Sequence, residues 1–214
     1  GATRMNTRAD RNVAVEENRR AFSSQDVVAS YAAANYITAC EEMLFRRHVA
    51  VGARVLDLGV GAGRTSPALA TTASYYVGVD LSQAMIEACR SRYPQWNYEV
   101  MDAADLSCFD SSSFDSVVFS FNGLGCLVPE QLRLTCMAEG RRVLRPGGSF
   151  IFSLHNAYSI LAQPPSLSLR LPFAMVGFTL ASGKRMAERI VRSTFWRGRG
   201  YTHTRAHGGV TVFA

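Results

Sequence analysis

The feature that most limits the fold is a short apolar run leading into three closely spaced glycines, VLDLGVGAG at residues 55–63. An apolar run without alternation is typical of a strand that is covered on both faces. Glycines permit positive φ angles and let the backbone approach a ligand closely. A helix-like segment follows at 64–72. The stretch therefore predicts a strand, a tight turn and a helix whose first N–H groups can meet a ligand.

The middle of the chain repeats this alternation. Helical spacing of apolar residues first appears at 26–49 and predicts one or two helices there. Further apolar runs lie at 75–79, 98–100, 116–120 and 149–154, and helix-like segments lie at 82–92 and 129–144. Short strands separated by helices indicate right-handed βαβ units and a parallel sheet. We predict an α/β fold with a doubly wound, mostly parallel sheet and helices on both faces.

Length and composition fit one domain with a small appendage. The chain has 214 residues, of which 48% are hydrophobic and 19% charged, and this excludes wholesale disorder. We divide it into a flexible N-terminal arm at 1–25, a core with N-terminal helices at 26–156 and a lid or substrate-side segment at 157–214. The last segment contains a basic run at 184–205. The net charge of +6 permits an anionic partner without requiring one.

Cysteine usage and hydropathy predict a cytoplasmic protein. There are five cysteines and no two have the CxxC spacing, so we expect neither a disulfide framework nor a thiolate zinc site. His203 and His207 lack a nearby third ligand, and we predict no metal. No apolar signal-peptide core follows the N-terminus, and the most apolar stretch, 171–181, is too short to cross a bilayer. We therefore expect no membrane segment.

Three acidic residues follow successive predicted strands. Asp57 precedes the first glycine, where a carboxylate would repel a pyrophosphate but could hold an ammonium group directly or through water. Asp80 ends the second strand and can accept both hydroxyls of a ribose. Asp102 follows the third strand and could accept an adenine amino group, while the N–H of Ala103 meets a ring nitrogen; Asp105, three residues on, is the competing acid. S-adenosylmethionine contains an ammonium, a ribose and an adenine, and it has no phosphate.

The order and spacing of five motifs resemble the class I S-adenosylmethionine-dependent methyltransferases over about residues 50–156. The motifs are DLGVGAG at 57–63, VGVDLSQAM at 77–85, DAADL at 102–106, FDSVV at 114–118 and RVLRPGG at 142–148. The resemblance implies a Rossmann-like sheet that binds S-adenosyl-L-methionine along the carboxyl ends of its strands and releases S-adenosyl-L-homocysteine. The cofactor-binding positions that it implies are Asp57, Gly59, Gly61, Gly63, Asp80, Leu81, Met85, Asp102, Ala103 and Phe121.

The methyl group of a sulfonium is already activated, so transfer is an in-line displacement that depends on how the acceptor is held. A general base helps only if the acceptor begins protonated. The candidates are His155 and Asn156 at the end of the fifth predicted strand, although such a pair can also simply cap a strand. Asn122 and Tyr31 are the candidate substrate-binding residues.

The C-terminal part leaves several readings open. The family usually continues with a strand pair, but only 209–213 has a strand-like pattern, so the pattern does not place the last two strands and allows a sheet that lacks this pair. The tail or a second subunit would then cover the sheet edge, and the second case is a homodimer. The run at 184–205 is either a solvated helix face or an attraction for anionic acceptors such as RNA.

The preferred function is methyl transfer to a small-molecule acceptor. Two alternatives remain open, an RNA or protein methyltransferase that uses the basic run and a non-catalytic S-adenosylmethionine-binding protein. Nucleic acid is thus an allowed partner, but not the favoured one. An NAD-dependent dehydrogenase is disfavoured by the acid at Asp57 and by Arg64, which stands where the dinucleotide fingerprint has glycine.

Overall fold

A computed structural model describes residues 8–154, 202–206 and 209–213, with side chains described from residue 11 to residue 154. Its centre is a five-stranded sheet in the order β3-β2-β1-β4-β5, and every neighbouring pair is parallel. The strands are β1 Arg54–Leu58, β2 Tyr75–Asp80, β3 Asn97–Val100, β4 Phe114–Phe119 and β5 Leu144–Phe152. This confirms the predicted α/β fold with a doubly wound parallel sheet.

The helices begin where the sequence offers caps. Thr38 and Glu41 form a reciprocal capping box at the start of α3, and the Ser82 hydroxyl accepts a hydrogen bond from the N–H of Met85 at the start of α5. The helices are α1 Arg8–Ala21, α2 Gln25–Ala33, α3 Ala39–His48, α4 Ser66–Ala70, α5 Gln83–Arg92 and α6 Glu130–Val143, with a 3₁₀ turn at Gly123–Cys126. The predicted helices at 82–92 and 129–144 are confirmed within a residue.

Both faces of the sheet are buried. On one face, apolar residues of the strands pack with α6, in a cluster that includes Leu56, Val77 and Cys136. On the other face, they pack with α3, α4 and α5, in a cluster that includes Val55 and Ile86. Because alternate residues of each strand meet these two clusters, the strands have apolar residues on both sides. This explains the continuous apolar runs in the sequence.

Two segments differ from the prediction. Residues 8–21 form helix α1 instead of part of a flexible arm, because Glu16 pairs with Arg19 and Arg20 one turn away while Val15 packs against the core. Strand β5 begins at Leu144 and not at 149, with residues 145–148 forming an irregularity between two paired segments. Neither a helix with a polar surface nor an irregular strand start has an apolar pattern clear enough to be predicted from the sequence.

Strands β6 Thr202–Ala206 and β7 Gly209–Phe213 pair with each other in a second, two-stranded sheet. Among the described residues neither of them pairs with a strand of the five-stranded sheet, so that sheet lacks the usual added pair, as the sequence pattern allows. The strand-like pattern at 209–213 corresponds to β7, whereas 202–206 reads THTRA and has no apolar run by which β6 could be predicted. No helix within the described ranges is long and apolar enough to cross a membrane. The domain division at residue 156 stays a prediction, since 155–201 lie outside the described residues.

Candidate functional site

Three carboxylates lie along the edge of the sheet at which the parallel strands end, which we call the carboxyl edge. Asp57 is the penultimate residue of β1, Asp80 is the last residue of β2, and Asp102 lies two residues beyond β3. These three strands are neighbours in the sheet. The structure therefore brings together the three acids that the sequence singled out, in the order that the strands take.

The turn after β1 can be made only with small residues. Gly59, Gly61 and Gly63 have φ angles of 58°, 56° and 84°, in the left-handed region that favours glycine. A Cβ atom on Gly59 would lie 2.5 Å from the ring of Phe119, and one on Gly61 would lie 3.0 Å from the ring of Tyr31. The turn is thus packed closely on both sides, by β4 and by α2.

Asp57 is buried beneath this turn with one oxygen satisfied and the other not. Its side chain is 1% exposed, and its Oδ2 accepts hydrogen bonds from the Thr65 hydroxyl at 2.6 Å and the Tyr76 hydroxyl at 2.9 Å. Its Oδ1 is buried without a hydrogen-bond partner among the described residues. Burial raises the pKa of Asp57 to about 6, although the two hydroxyls and the Arg64 guanidinium act to lower it.

Asp80 joins the end of β2 to the glycine turn. Its Oδ2 accepts a hydrogen bond from the N–H of Gly61 and its Oδ1 accepts one from the N–H of Ser82, each at 2.9 Å. Burial raises the pKa of Asp80, while these backbone donors lower it. Each carboxylate oxygen has two lone pairs, so acceptor capacity remains for a further ligand.

Asp102 faces helix α1. Its Oδ1 accepts a hydrogen bond from the N–H of Ala104 at 2.8 Å, and its Oδ2 forms an ion pair with Arg11 of α1 at 3.1 Å. A cavity of about 420 Å³ lies between α1 and the carboxyl edge, where Leu81 and Asp102 line one side. Ala103, the next predicted cofactor residue, is buried in the core cluster on the α6 side. No pattern in residues 1–25 indicates that α1 borders this part of the edge.

Arg64 replaces the glycine of the dinucleotide fingerprint for a structural reason. Its guanidinium forms a two-pronged ion pair with Glu41 of α3, and the two side chains are only 9% and 10% exposed. Burial alone would raise the pKa of Glu41, but hydrogen bonds from Arg64 and Thr38 lower it to about 2. The pair ties α3 to the glycine turn, and sequence reasoning missed it because the partners lie far apart in the chain.

Two further predicted residues lie on either side of the turn. Tyr31 is half-buried with its ring against Gly61, and Phe121 is 49% exposed with its ring 4.8 Å from the Arg64 guanidinium. Phe121 and Asn122 both have positive φ angles, and the N–H of Asn122 donates to the Ser153 hydroxyl at 2.9 Å. Such strained positions occur often at functional sites.

The remaining candidates are Met85, His155 and Asn156, and the structure describes only the first of them. Met85 is 1% exposed and belongs to a buried cluster with Val27 and Ala62, so its described surroundings are those of a core residue. His155 and Asn156, the candidate catalytic pair, lie outside the described residues. The sequence also missed Thr65 and Tyr76, the partners of Asp57; a hydroxyl-rich environment around a buried acid can be recognised only when the strand register is known.

The chain is similar to known methyltransferases over its central part. A family model described as a methyltransferase domain matches residues 55–148. The demethylmenaquinone methyltransferase of Clavibacter sepedonicus is 40% identical over 103 residues, which make up 47% of this chain and 40% of that protein. The chain spans about half the length of the curated relatives it matches.

Solved structures agree on the fold. An S-adenosylmethionine-dependent methyltransferase from Methanosarcina mazei superposes with a TM-score of 0.57 at 20% identity, covering 79% of this chain and 76% of that chain. The CcbJ methyltransferase from Streptomyces caelestis superposes with a TM-score of 0.50 at 26% identity, covering 64% and 57%. The first of these likenesses concerns the fold alone.

Proposed function

The chain belongs to the class I S-adenosylmethionine-dependent methyltransferases, and on that premise we propose that it transfers a methyl group from S-adenosylmethionine to a small-molecule acceptor. The bound cofactor would supply an activated methyl group on a sulfonium. The residues of this chain would bind it, orient it and hold the acceptor opposite the sulfur.

The observation that carries the proposal is the unpartnered Oδ1 of Asp57 under the glycine turn. A buried carboxylate oxygen without a hydrogen bond is unfavourable unless a ligand or water satisfies it. At pH 7 a carboxyl with a pKa of about 6 is mostly ionised, so it suits a cationic group and repels a phosphate. This fits the ammonium end of S-adenosylmethionine and not the pyrophosphate of NAD.

The other acids would hold the nucleoside. Asp80 keeps acceptor capacity for the ribose hydroxyls while its backbone bonds fix it to the glycine turn. Asp102 borders the cavity beside α1, and with Ala103 it would hold the adenine. The glycines would let the backbone approach the cofactor, and Leu81 would border it from the cavity beside Asp102, while Met85 would support the site from the core.

Tyr31 and Asn122 would form the acceptor side of the site, and Phe121, the neighbour of Asn122, would lie between acceptor and cofactor. The exposed ring of Phe121 and the ring of Tyr31 flank the glycine turn, so ligands bound there would meet aromatic surface. A proton-accepting role for His155, with Asn156 as its neighbour, stays a prediction.

The small-molecule class has support from the names of several relatives. The Clavibacter protein is named for demethylmenaquinone, which is a small molecule. The alternatives, an RNA or protein acceptor and a cofactor-binding protein without catalysis, would depend on the basic run at 184–205 and on the end of the chain, and no described residue favours either.

Calorimetry with the whole chain tests the cofactor. We expect S-adenosylmethionine and S-adenosylhomocysteine to bind and NAD not to bind at the same concentrations. Binding of NAD alone would overturn the proposal.

Transfer of a radiolabelled methyl group tests the acceptor class. The protein is incubated with labelled S-adenosylmethionine and, separately, with metabolite, RNA and protein fractions. We expect label in the metabolite fraction. Label only in RNA or protein would replace the small-molecule proposal, and cofactor binding without transfer to any fraction would support a non-catalytic role.

A further inference from the structure

A chain of buried hydroxyl groups extends from Asp57 into the core. The Tyr76 hydroxyl donates to Asp57 Oδ2 at 2.9 Å and lies 2.8 Å from the Ser66 hydroxyl. Tyr76 is 5% exposed and Ser66 is fully buried. These groups support the only described carboxylate whose second oxygen is buried without a partner. A hydroxyl that binds one oxygen of such a carboxylate controls how the other oxygen is presented.

The register of the sheet explains how these groups meet. Asp57 of β1 pairs with Gly78 of β2, and Gly78 pairs with Tyr98 of β3. Tyr76 lies two residues before Gly78 and therefore on the same face of β2. A Cβ atom on Gly78 would lie 3.1 Å from the Tyr76 hydroxyl and 2.9 Å from the Tyr98 ring. The missing side chain of Gly78 thus leaves room for the two tyrosines beside Asp57.

We propose that the Tyr76 hydroxyl is a positioning group for the cofactor: by donating to Oδ2 it keeps the Asp57 carboxylate ionised and leaves Oδ1 as the acceptor for the ammonium end of S-adenosylmethionine. The inference rests on the proposed function. It assigns a measurable share of cofactor affinity to the second residue of β2, which lies away from the glycine turn in the sequence.

The groups around Asp57 determine in which direction its pKa changes when the Tyr76 hydroxyl is removed. Burial raises its pKa to about 6, and the hydrogen bonds from Thr65 and Tyr76 lower it. Loss of the Tyr76 bond therefore raises that pKa further. The other ionisable groups that face this region come from the turn, α3, the end of β2, α5 and β3, and they are Arg64, Glu41, Asp80, Cys89 and Tyr98.

Tyr76 itself stays a donor at every working pH. Burial and the neighbouring Asp57 raise its pKa well above the ordinary value, so the phenol remains protonated. The proton that titrates near pH 6 therefore belongs to Asp57. A phenylalanine at position 76 removes this donor while keeping the ring.

Tyr98 provides a matched control. It is also a buried tyrosine on the adjoining strand, with its ring 6.1 Å from that of Tyr76, but its hydroxyl has no hydrogen-bond partner within the described part of the chain. Tyr98→Phe removes a hydroxyl from the same cluster without removing a donor to Asp57. A general effect of changing the packing would appear in both variants.

The test measures binding of two ligands to the whole chain by calorimetry between pH 5 and pH 8.5. S-adenosylhomocysteine carries the ammonium, and methylthioadenosine is the same thioether nucleoside without the amino-acid end. For the wild type we expect the affinity for S-adenosylhomocysteine to fall as the pH decreases through about 6, and the affinity for methylthioadenosine to stay constant.

The midpoint is the pH at which the affinity for S-adenosylhomocysteine has fallen to half of its value at high pH. In Tyr76→Phe this midpoint should rise by about one pH unit, as expected for the loss of a hydrogen bond to a charged group. Binding should then be about five-fold weaker than in the wild type at pH 6 and nearly equal at pH 8. Methylthioadenosine should bind both proteins alike, and Tyr98→Phe should keep the wild-type midpoint.

Each other outcome has a distinct meaning. If the wild type binds neither ligand, the proposed function fails. If the wild type binds but Tyr76→Phe keeps its midpoint, or if Tyr98→Phe shifts it equally, the inference fails. If Tyr76→Phe does not fold, Thr65→Val removes the second donor to the same oxygen, and an unshifted midpoint there overturns the role of these hydroxyls in keeping Asp57 ionised.

Discussion

At the amino edge of the sheet, where the strands begin, Asp115 accepts a hydrogen bond from the N–H of Arg54 at 2.8 Å and pairs with Arg145 at 2.9 Å. Those partners, the Arg54 N–H first, hold its pKa below the ordinary value. At the carboxyl edge, burial raises the pKa values of Asp57 and Asp80, and one oxygen of Asp57 has no partner.

The difference shows what each edge does. A carboxylate that serves the fold is paired and partly exposed, as Asp115 is. A carboxylate that is buried without complete pairing lowers stability, and groups of this kind concentrate at functional sites. The comparison therefore sets a structural acid against the acids that we propose for a ligand, on one sheet and with the same residue type.

The largest expected effect concerns the glycines at the two edges. Gly59→Ala should lower the free energy of unfolding by about 2–5 kcal/mol, because a positive φ and contact with the buried Phe119 ring add together. Gly52→Ala, just before β1, also places alanine at a positive φ but meets open space, so about 1–2 kcal/mol is expected. Urea unfolding measures both. Equal losses would show that the carboxyl edge is not more tightly packed.

Asp57→Asn should change the pH dependence of stability. The folded pKa of about 6 lies above the unfolded value near 4, so the wild type binds its proton more tightly when folded and loses stability as the pH rises between these values. The loss corresponds to about 3 kcal/mol, and the variant should not show it.

Asp115→Asn should change the pH dependence of stability in the opposite direction to Asp57→Asn. Its folded pKa is lowered, so the wild-type carboxylate contributes stability above the unfolded value, which is lost as the pH falls below about 4. Unfolding free energies measured from pH 3.5 to 8 should therefore change in opposite directions for the two substitutions. A stability difference between Asp57→Asn and wild type that does not vary with pH would contradict the burial of a charge at the carboxyl edge.

Asp80→Ala should weaken S-adenosylmethionine binding by roughly 1–3 kcal/mol, because the ribose hydroxyls lose a charged acceptor. Asp115→Ala removes the same side chain at the amino edge and should leave the dissociation constant unchanged. Calorimetry on the folded variants measures both constants. An unchanged constant in Asp80→Ala would remove the ribose assignment.

Much of the fold follows from the sequence because its determinants are local. Apolar runs ending in glycine mark β1 and the turn, and Ser82 marks the start of α5. Helix α1 was missed because its surface is charged and only a few of its residues meet the core. Strand β6 was not predicted because 202–206 has no apolar run.

The site could be predicted only in part. The positions of Asp57, Asp80 and Asp102 follow from where the strands end, since parallel strands share an edge. The partners of these acids depend on register and on packing between distant segments. Neither the Tyr76 hydroxyl nor Arg11 could be assigned to its acid from a single sequence, because 19 and 91 residues separate the bonded partners.

The smallest expected effect is a gain. Tyr98→Phe should raise the free energy of unfolding by about 1 kcal/mol, because a buried hydroxyl without a partner is removed. Tyr76→Phe should lower it by about 1 kcal/mol, since its hydroxyl is bonded. Thermal or urea unfolding at pH 8 compares them. A loss in both variants would mean that the Tyr98 hydroxyl is also satisfied.

The carboxylate of Glu41 caps the start of α3 and, at the same time, balances the charge of Arg64 in the glycine turn. Unravelling the first turn of that helix would therefore leave a buried cation without its counter-charge, and releasing the cation would leave the buried Glu41 carboxylate without its guanidinium partner. The two segments should open together as one cooperative unit, so that their amide protons report the same free energy of opening in hydrogen exchange.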